Sequence, residues 1–492
     1  MPSPNILLIL TDQQRTDSLG CYGGRHVPTP HLDRLAAQGA TFDACYGNSP
    51  LCTPCRASLW TGRSVLQHGV YTLHDILPDD ETLFPWHLRE LGYHTALFGK
   101  LHVSGRMKEV DEAHPRHGFD VYENSISPYN FNCRFHAYRD WLLHRSPEWH
   151  DKINRDGTRA GYIPAEFHFS TWIAERTIDL IAHRPADRPF FCCASFVDPH
   201  DPFDDHPESA LDDVALGDLH EVKRSTPDLS QLKAIQREVA GGVLGSISDY
   251  TDEEIRLMRR SYYASVGFLD QCVGRILQAL QRAGLDEDTW VIFTSDHGEM
   301  LGERCLLGKG AYFYEACARV PLLMRAPSGQ LAPGRSGRLM QMEDLAATIM
   351  RAAGGPAEFV KREMPTAYPL QDSSHRPAAV GIYRNTGINS EKQFWDPPIH
   401  ATMIRSDTHK LTAYHDTSGQ AALGGELYDM VRDPAESCNL WDVPSAAGIK
   451  AELLLRLADW LVREDLAHGR GGRGGRLFPS PGRWLPNNPI RR

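Results

Sequence analysis

Apolar and polar positions alternate along this chain with two different periods, and the change from one to the other predicts its elements. Ile6 to Leu10 is an unbroken apolar run of strand length that stops at the polar stretch Thr11-Asp12-Gln13-Gln14-Arg15. Runs of the same kind cover Thr95–Phe98, Phe190–Val197, Trp290–Thr294 and Val320–Met324. Helical spacing fills the intervals. Thr29-Pro30 predicts a helix start, with Thr29 as the cap and proline at the first position. A helix over Thr82–Leu91 stops at Gly92, and Thr171–Ile181 is amphipathic. Thr251-Asp252-Glu253-Glu254 reads as a capping box. It opens a long helix whose apolar positions, Ile255, Met258, Tyr262, Val266, Leu269, Val273, Ile276 and Leu280, recur every three or four residues.

Continuous apolar strands alternating with helices predict an α/β fold built on a large, mostly parallel central sheet covered on both faces. Beyond about residue 375 the pattern changes to short strands over Thr402–Arg405, Lys410–Tyr414 and Glu426–Asp429, then a helix over Lys450–Val462. That predicts a small C-terminal antiparallel sheet with one helix. The expected organisation is a catalytic domain over 1–375, a C-terminal subdomain over 376–467 and an Arg/Gly/Pro-rich tail over 468–492. A chain of 492 residues exceeds what one core usually supports, which agrees with this division. The tail is too poor in apolar residues to form its own core. Its Phe478, Trp484 and Leu485 are expected to pack in a partner's groove, which predicts a homo-oligomer.

Charge and cysteine content narrow the function. A net charge of −11 argues against nucleic acid as a partner, because phosphate binding needs a dominant basic surface. The 11 cysteines are odd in number and scattered, with no disulfide-like spacing. The N-terminus has no basic segment before its short apolar run, so it reads as a strand and not a signal peptide. No run approaches the length of a membrane span. The expectation is a reduced, cytoplasmic protein with no membrane partner.

In parallel sheets, functional groups gather at the carboxyl ends of strands. Four polar clusters lie at such ends: Asp12 with Gln13, Lys100 with His102, Asp198 with His200 and Asp201, and Asp296 with His297. Any one alone reads as a helix cap, a solvated loop residue or a turn former. Together they suit a hard, oxygen-ligated cation on Asp12, Gln13, Asp296 and His297. Lys100, His102, His200, Lys309 and Arg56 are then left to hold an anion. Cys52 and Cys55 form a C-x-x-C pair, which by itself reads as a redox dithiol or half of a zinc site. Zinc would need a second close ligand pair, and the other cysteines supply none.

The segment Cys52-Thr53-Pro54-Cys55-Arg56-Ala57-Ser58-Leu59-Trp60-Thr61-Gly62 resembles the sulfatase signature C-x-P-x-R-A-S-L-x-T-G. Further stretches resemble the same family in family order: Pro4 to Gln14, Gly92 to His102, Pro199-His200-Asp201-Pro202-Phe203, Ser295-Asp296-His297-Gly298-Glu299, and Leu427-Tyr428-Asp429 with Asp433-Pro434-Ala435-Glu436. The resemblance implies an alkaline-phosphatase-like sandwich that hydrolyses small anionic sulfate monoesters. It implies that a maturation enzyme oxidises Cys52 to formylglycine, whose hydrate is the nucleophile. One divalent cation, calcium first with manganese or magnesium as alternatives, would sit on Asp12, Gln13, Asp296, His297 and the oxidised residue 52. Arg56 and His102 would steady the hydrate, Lys100 and Lys309 would grip sulfate, and His200 or Lys309 would protonate the leaving oxygen.

Two departures from the most familiar pattern matter. Cys55 stands where serine is usual, and it could trap Cys52 as a disulfide. Gln13 and His297 stand where many members carry Asp and Asn, which resembles choline sulfatases and phosphonate monoester hydrolases. The latter generally lack the lysine and histidine found here as Lys100 and His102, which favours a sulfate ester. Phosphonate monoester or phosphodiester hydrolysis is the alternative within the superfamily, and a C-x-x-C redox or zinc module is the alternative outside it. Ser104–Glu166 and Asp201–Ser225 are expected to shape the substrate pocket.

Overall fold

A computed structural model describes residues 3–214, 219, 250–384, 399–415 and 424–470, the side chains at 107 and 465–470 excepted. Nine strands form the large sheet: β1 (Asn5–Thr11), β2 (Ala40–Tyr46), β3 (His94–Gly99), β4 (Val121–Asn124), β5 (Phe190–Ser195), β6 (Thr289–Ser295), β7 (Arg319–Val320), β8 (Leu322–Arg325) and β9 (Gly334–Gln341). Their order is β4-β3-β5-β1-β6-β8-β2-β7, with β9 also paired to β2. The five strands from β4 to β6 are mutually parallel and bring the ends of β1, β3, β5 and β6 to one edge.

Period-two alternation explains why this sheet is covered on both sides. Leu7 and Ile9 of β1 point to one face, Ile6, Leu8 and Leu10 to the other. The adjacent Cys192 and Cys193 of β5 likewise enter opposite cores, so they are packing residues. The helices Phe169–His183 and Asp252–Arg282 close the first face through residues such as Trp172, Ile173, Tyr262 and Val273. The helices Cys52–Thr61 and Met342–Ala352 close the second through Trp60, Leu59, Leu345 and Ile349. Each fully buried aliphatic side chain contributes about 1.5–3 kcal/mol, so these layers carry most of the favourable term.

Two expectations need correction. The apolar run Val320–Met324 is two strands, β7 and β8, both antiparallel to their neighbours. Pro321 separates them, because it has no N–H to continue a ladder. Thr29 does not cap its helix, Pro30–Gln38. Its hydroxyl accepts from Gly20 N (2.9 Å), while Asp270 of the long helix accepts from His31 N (3.1 Å) and Leu32 N (2.8 Å). A distant carboxylate thus supplies the cap that sequence assigns locally. Strands β2, β4, β9 and β10 are not among the expected elements: β4 is short, β9 is polar, β10 is broken by Gly381, and the apolar run of β2 is interrupted by Asp43.

The second sheet is antiparallel, in the order β10 (Ala379–Arg384), β11 (His400–Arg405), β12 (His409–His415) and β13 (Gly424–Asp429). One face, with Tyr383, Met403 and Tyr414, packs against Tyr46, Leu51 and Tyr314 of the large unit. The other, with Val380, Ile404 and Leu427, meets Leu453 and Leu457 of the C-terminal helix Ala447–Arg470. The aromatic residues expected to drive assembly, Phe478, Trp484 and Leu485, lie outside the described residues. Among the described residues no helix is long and apolar enough to cross a membrane.

The C-terminal helix is also tied to the large unit by Glu464, which is buried and accepts a hydrogen bond from Ser64 Oγ. Burial pushes this carboxyl up to about 7. A raised carboxyl contributes stability that is fully present below its unfolded value near 4.5 and is lost as pH rises through about 7. Between pH 5 and 8 the wild type should therefore lose on the order of 2–3 kcal/mol that Glu464→Gln does not lose. Thermal melts of both proteins across that window check this, and parallel pH profiles would contradict it.

Candidate active site

The carboxyl edge of the large sheet is built around one buried arginine. Arg56 lies in the helix Cys52–Thr61 and is fully buried. Its Nε donates to Asp296 Oδ2 (2.6 Å), and its Nη2 to Asp12 Oδ2 (3.1 Å). Its Nη1 donates to Lys100 O (2.8 Å) and Ser195 Oγ (2.9 Å). One guanidinium therefore joins the ends of β1, β3, β5 and β6. Burial disfavours its charge, but Asp296 and Asp12 more than compensate, so its pKa is raised.

Arg56 fixes the two aspartates, and their remaining atoms face a common centre. Asp12 Oδ2 also accepts from Lys100 Nζ (2.7 Å). Asp12 Oδ1 is buried with no hydrogen-bond partner, 3.7 Å from His297 Nε2 and 3.8 Å from His200 Nε2. Despite full burial, Lys100, His200 and Arg56 hold the Asp12 carboxyl well below the usual range. Asp296 Oδ1 accepts from Gln13 N (3.2 Å) and His297 N (2.9 Å). His297 donates Nδ1–H to Gly298 O (2.9 Å), which leaves its Nε2 lone pair pointing inward.

Donor atoms of Asp12, Cys52 and His297 lie within 4.8 Å of one another. With the orphaned Asp12 Oδ1 among them, this set fits a divalent cation. Gln13 Oε1 lies beside it and accepts from Lys309 Nζ (2.8 Å). Lys309 Nζ also stands 3.2 Å from His297 Nε2, 2.9 Å from His200 Nε2 and 3.8 Å from Cys52 Sγ. Its ammonium thus shares donors with the candidate metal site.

The two cysteines of the helix part company. Burial disfavours a Cys52 thiolate, yet Lys309, Lys100 and His102 outweigh it and hold the thiol well below the ordinary cysteine range. Cys55 turns away, and its Sγ donates to the backbone carbonyl of Asp296 at 2.8 Å. Burial and the Asp296 carboxylate hold that thiol well above the ordinary range. Both cysteines are free in the structure. His102 Nε2 lies 3.1 Å from Thr53 Oγ1, beside the first turn of the same helix. His200 donates Nδ1–H to Asp201 O (2.8 Å), and burial lowers its pKa, so its Nε2 accepts from Lys309.

All ten residues selected from sequence converge here: Asp12, Gln13, Cys52, Arg56, Lys100, His102, His200, Asp296, His297 and Lys309. Two carboxylates behind them were not selected. Glu299 Oε2 accepts from Gln13 Nε2 (2.7 Å), while its Oε1 accepts from Leu301 N and Gly308 N. With Asp201 Oδ1, also an acceptor from Gln13 Nε2 (3.2 Å), it turns the Gln13 amide so that Oε1 faces the centre. Glu109 accepts from His102 N and Ser104 N, holding His102 at a φ of 60°, and burial pushes its carboxyl up to about 7. Glu299 follows Asp296-His297-Gly298 and could have been found there. Glu109, seven residues past His102, has no comparable signal.

The large parallel-dominated sheet with its separate four-stranded antiparallel sheet is the fold of the alkaline-phosphatase-like sulfatases and hydrolases among the solved structures it superposes on. The sulfatase family model matches residues 4–355, and the chain belongs to that family of sulfuric ester hydrolases. It is 29% identical to the sulfatase YidJ of Escherichia coli (strain K12), over 94% of this chain and 88% of that one. It is also 29% identical to a choline-sulfatase of Rhizobium meliloti (strain 1021), over 93% and 87%. Among solved structures, a phosphonate monoester hydrolase of Agrobacterium radiobacter superposes with a TM-score of 0.74 at 25% identity, over 94% of this chain and 96% of that one.

The layer behind the ligands yields a prediction. Glu299→Ala releases the Gln13 amide and leaves two backbone N–H groups unpaired. Divalent-cation affinity should fall by roughly ten- to a hundredfold. Equilibrium dialysis of the purified variant against calcium or manganese measures this, and unchanged affinity would refute the orienting role.

Proposed function

We propose that this enzyme cleaves sulfate monoesters with a formylglycine hydrate, formed from Cys52, as the nucleophile. The observation that carries this reading is the divergence of the two cysteines. Cys52 Sγ lies among Lys309, Lys100 and His102, where a hydroxyl of the oxidised residue would stand, whereas Cys55 is engaged with the Asp296 carbonyl. The usual serine at position 55 could make that same hydrogen bond, so the substitution is compatible with maturation.

Asp12, Gln13, Asp296, His297 and residue 52 would hold one cation, calcium first, with manganese or magnesium as alternatives. Oxidation of Cys52 replaces sulfur by oxygen and leaves a single nitrogen donor, which supports a hard ion. When bound, the cation supplies Lewis acidity, polarising a sulfate oxygen and lowering the pKa of the hydroxyl at residue 52. Arg56 fixes Asp12 and Asp296 in position. Lys100 and Lys309 place positive charge around the transferred group, and His102 steadies the residue-52 end of the helix. The Lys309–His200 contact at 2.9 Å offers the leaving oxygen a proton route. A formylglycine-generating maturation enzyme, a cytoplasmic location and a homo-oligomeric state complete the proposal and rest on the sequence.

The likeness in fold to a phosphonate monoester hydrolase supports a second reading, phosphonate monoester or phosphodiester hydrolysis at the same centre. A panel of sulfate esters, phosphodiesters and phosphonates at matched leaving-group pKa decides between the two. Sulfate esters should be turned over fastest, and phosphonates outrunning every sulfate ester would establish the second reading.

Two further outcomes are expected. In protein from a host with the maturation enzyme, mass spectrometry should show Cys52 without its thiol mass and Cys55 intact. Cys52→Ala should remove nearly all turnover, whereas Cys55→Ser should stay within a few-fold of wild type, since a single neutral hydrogen bond contributes about 1 kcal/mol. Full activity in Cys52→Ala would end this reading. Elemental analysis should find one calcium, manganese or magnesium ion per chain, and stoichiometric zinc on Cys52 and Cys55 would refute the ligand set.

A further inference from the structure

A cavity of about 540 Å³ opens beside the reactive centre, and nothing in the chemistry described so far uses it. It lies between the loop after β5 and the first turns of the helix Asp252–Arg282. Its wall includes Gln13 and Gly308. Gln13 holds Lys309 at 2.8 Å, and Lys309 Nζ is 3.8 Å from Cys52 Sγ, so the cavity adjoins the residues around the nucleophile. The volume falls within the range of small-molecule sites.

The lining is apolar on one side, with Phe203, Leu211, Leu257 and Met258. Leu257 is 47% exposed, on a helix whose other apolar residues are largely buried. Facing these are three carboxyl groups, Asp201, Asp204 and Glu299. The cavity's guanidinium, Arg260, is committed to the backbone, with Nε donating to Val214 O and Nη2 to Leu211 O, both at 2.9 Å. An anionic group entering here would meet the carboxylates of Asp201 and Asp204, while two of the five N–H groups of Arg260 are held by backbone carbonyls. The strong positive charge of the site is confined to the centre, where Lys100, Lys309 and Arg56 surround the transferred group.

We infer that this cavity receives the organic part of the sulfate ester and selects compact apolar alcohols that carry no anionic group. The inference rests on the sulfate-ester reading of the centre and deepens it. Polyanionic saccharide sulfates are disfavoured by charge, since each additional carboxylate or sulfate would be placed against Asp201 and Asp204. A neutral aryl or alkyl group gains by covering Phe203, Leu257 and Met258.

The test compares two phenyl sulfates of matched leaving-group pKa, one neutral and one with a ring carboxylate, on the matured enzyme and on Leu257→Arg. Leu257 is half exposed and outside the catalytic centre, so this variant keeps the fold and the chemical step. In wild type the neutral ester should have the lower KM, on the order of tenfold, with kcat similar for the two. Leu257→Arg should raise KM for the neutral ester and lower it for the carboxylate, leaving kcat within about twofold. Equal KM values in wild type that do not move in the variant would overturn the inference. Calorimetric binding of the free alcohols, a neutral phenol and a hydroxybenzoate, separates the two levels of the argument. Preferential, Leu257-dependent binding of the phenol without turnover of either ester would sustain the cavity's preference and remove the sulfate-ester reading. Equal binding of both alcohols would count against the cavity as well.

Discussion

Burying a guanidinium without water is costly, and at Arg56 the cost is met by five acceptors drawn from four strand ends. Asp12, Asp296, Ser195 and the carbonyls of Lys100 and Thr11 surround it, and no part of its side chain is exposed. Loss of one partner from such a buried pair costs about 3–5 kcal/mol, because the remaining charges are left uncompensated. A well-packed apolar replacement for the whole set could be just as stable. The arrangement is therefore better explained by position than by stability: a planar fork that bonds several acceptors at once fixes their mutual geometry as a lysine could not.

Around that constraint the site is held in conformations that the chain would not adopt locally. Gln13 and His102 both have positive φ, 64° and 60°, without being glycine. Each is pinned by neighbouring carboxyl groups. Glu299 and Asp201 hold the Gln13 amide, and the Asp296 carboxylate takes its N–H. Glu109 holds the His102 backbone. Burial raises both Glu109 and Glu299, so each is itself a cost that backbone donors only partly offset. Strain and buried charge collect at the catalytic edge, while the apolar layers on the two faces of the sheet supply the stability that permits them.

The small sheet serves the same centre indirectly. Lys410 of β12 bridges Glu315 (2.8 Å) and Glu436 (2.6 Å), and the ring of Tyr314 carries the Arg304 guanidinium on its face. These contacts anchor the segment from Gly298 to Ala318, which bears Lys309. An aromatic core shared by Tyr46, Tyr314, Tyr383 and Tyr414 closes the seam between the two sheets. A pH-linked tie at Glu464 and Ser64 then fastens the C-terminal helix to the loop after the Cys52 helix. Among the described residues, the second sheet thus braces the loops of the catalytic edge and supplies no group to the reaction centre.

Sequence alone carried the parts of this protein that depend on local pattern. Unbroken apolar runs identified β1, β3, β5 and β6 because a strand buried on both faces needs no polar alternation. Their polar ends, with the Cys52 segment, pointed to nine of the ten candidate residues, Lys309 being the exception, since parallel strands deliver their carboxyl ends to one edge. Tertiary structure decided what depends on partners far away in the chain. Asp270 caps the helix at Pro30, 240 residues earlier, which no local rule could assign. Strands β2, β4, β9 and β10 lack a long unbroken apolar run, and pairing with neighbours completes them. Cys52 and Cys55 are equivalent in a C-x-x-C pattern, and only the fold makes one an acidic thiol among cations and the other a hydrogen-bond donor to Asp296. The physical reason is the same in each case. Periodicity and turn chemistry act between near neighbours, whereas charge burial and hydrogen-bond satisfaction are settled by whatever the packed chain brings within about 4 Å.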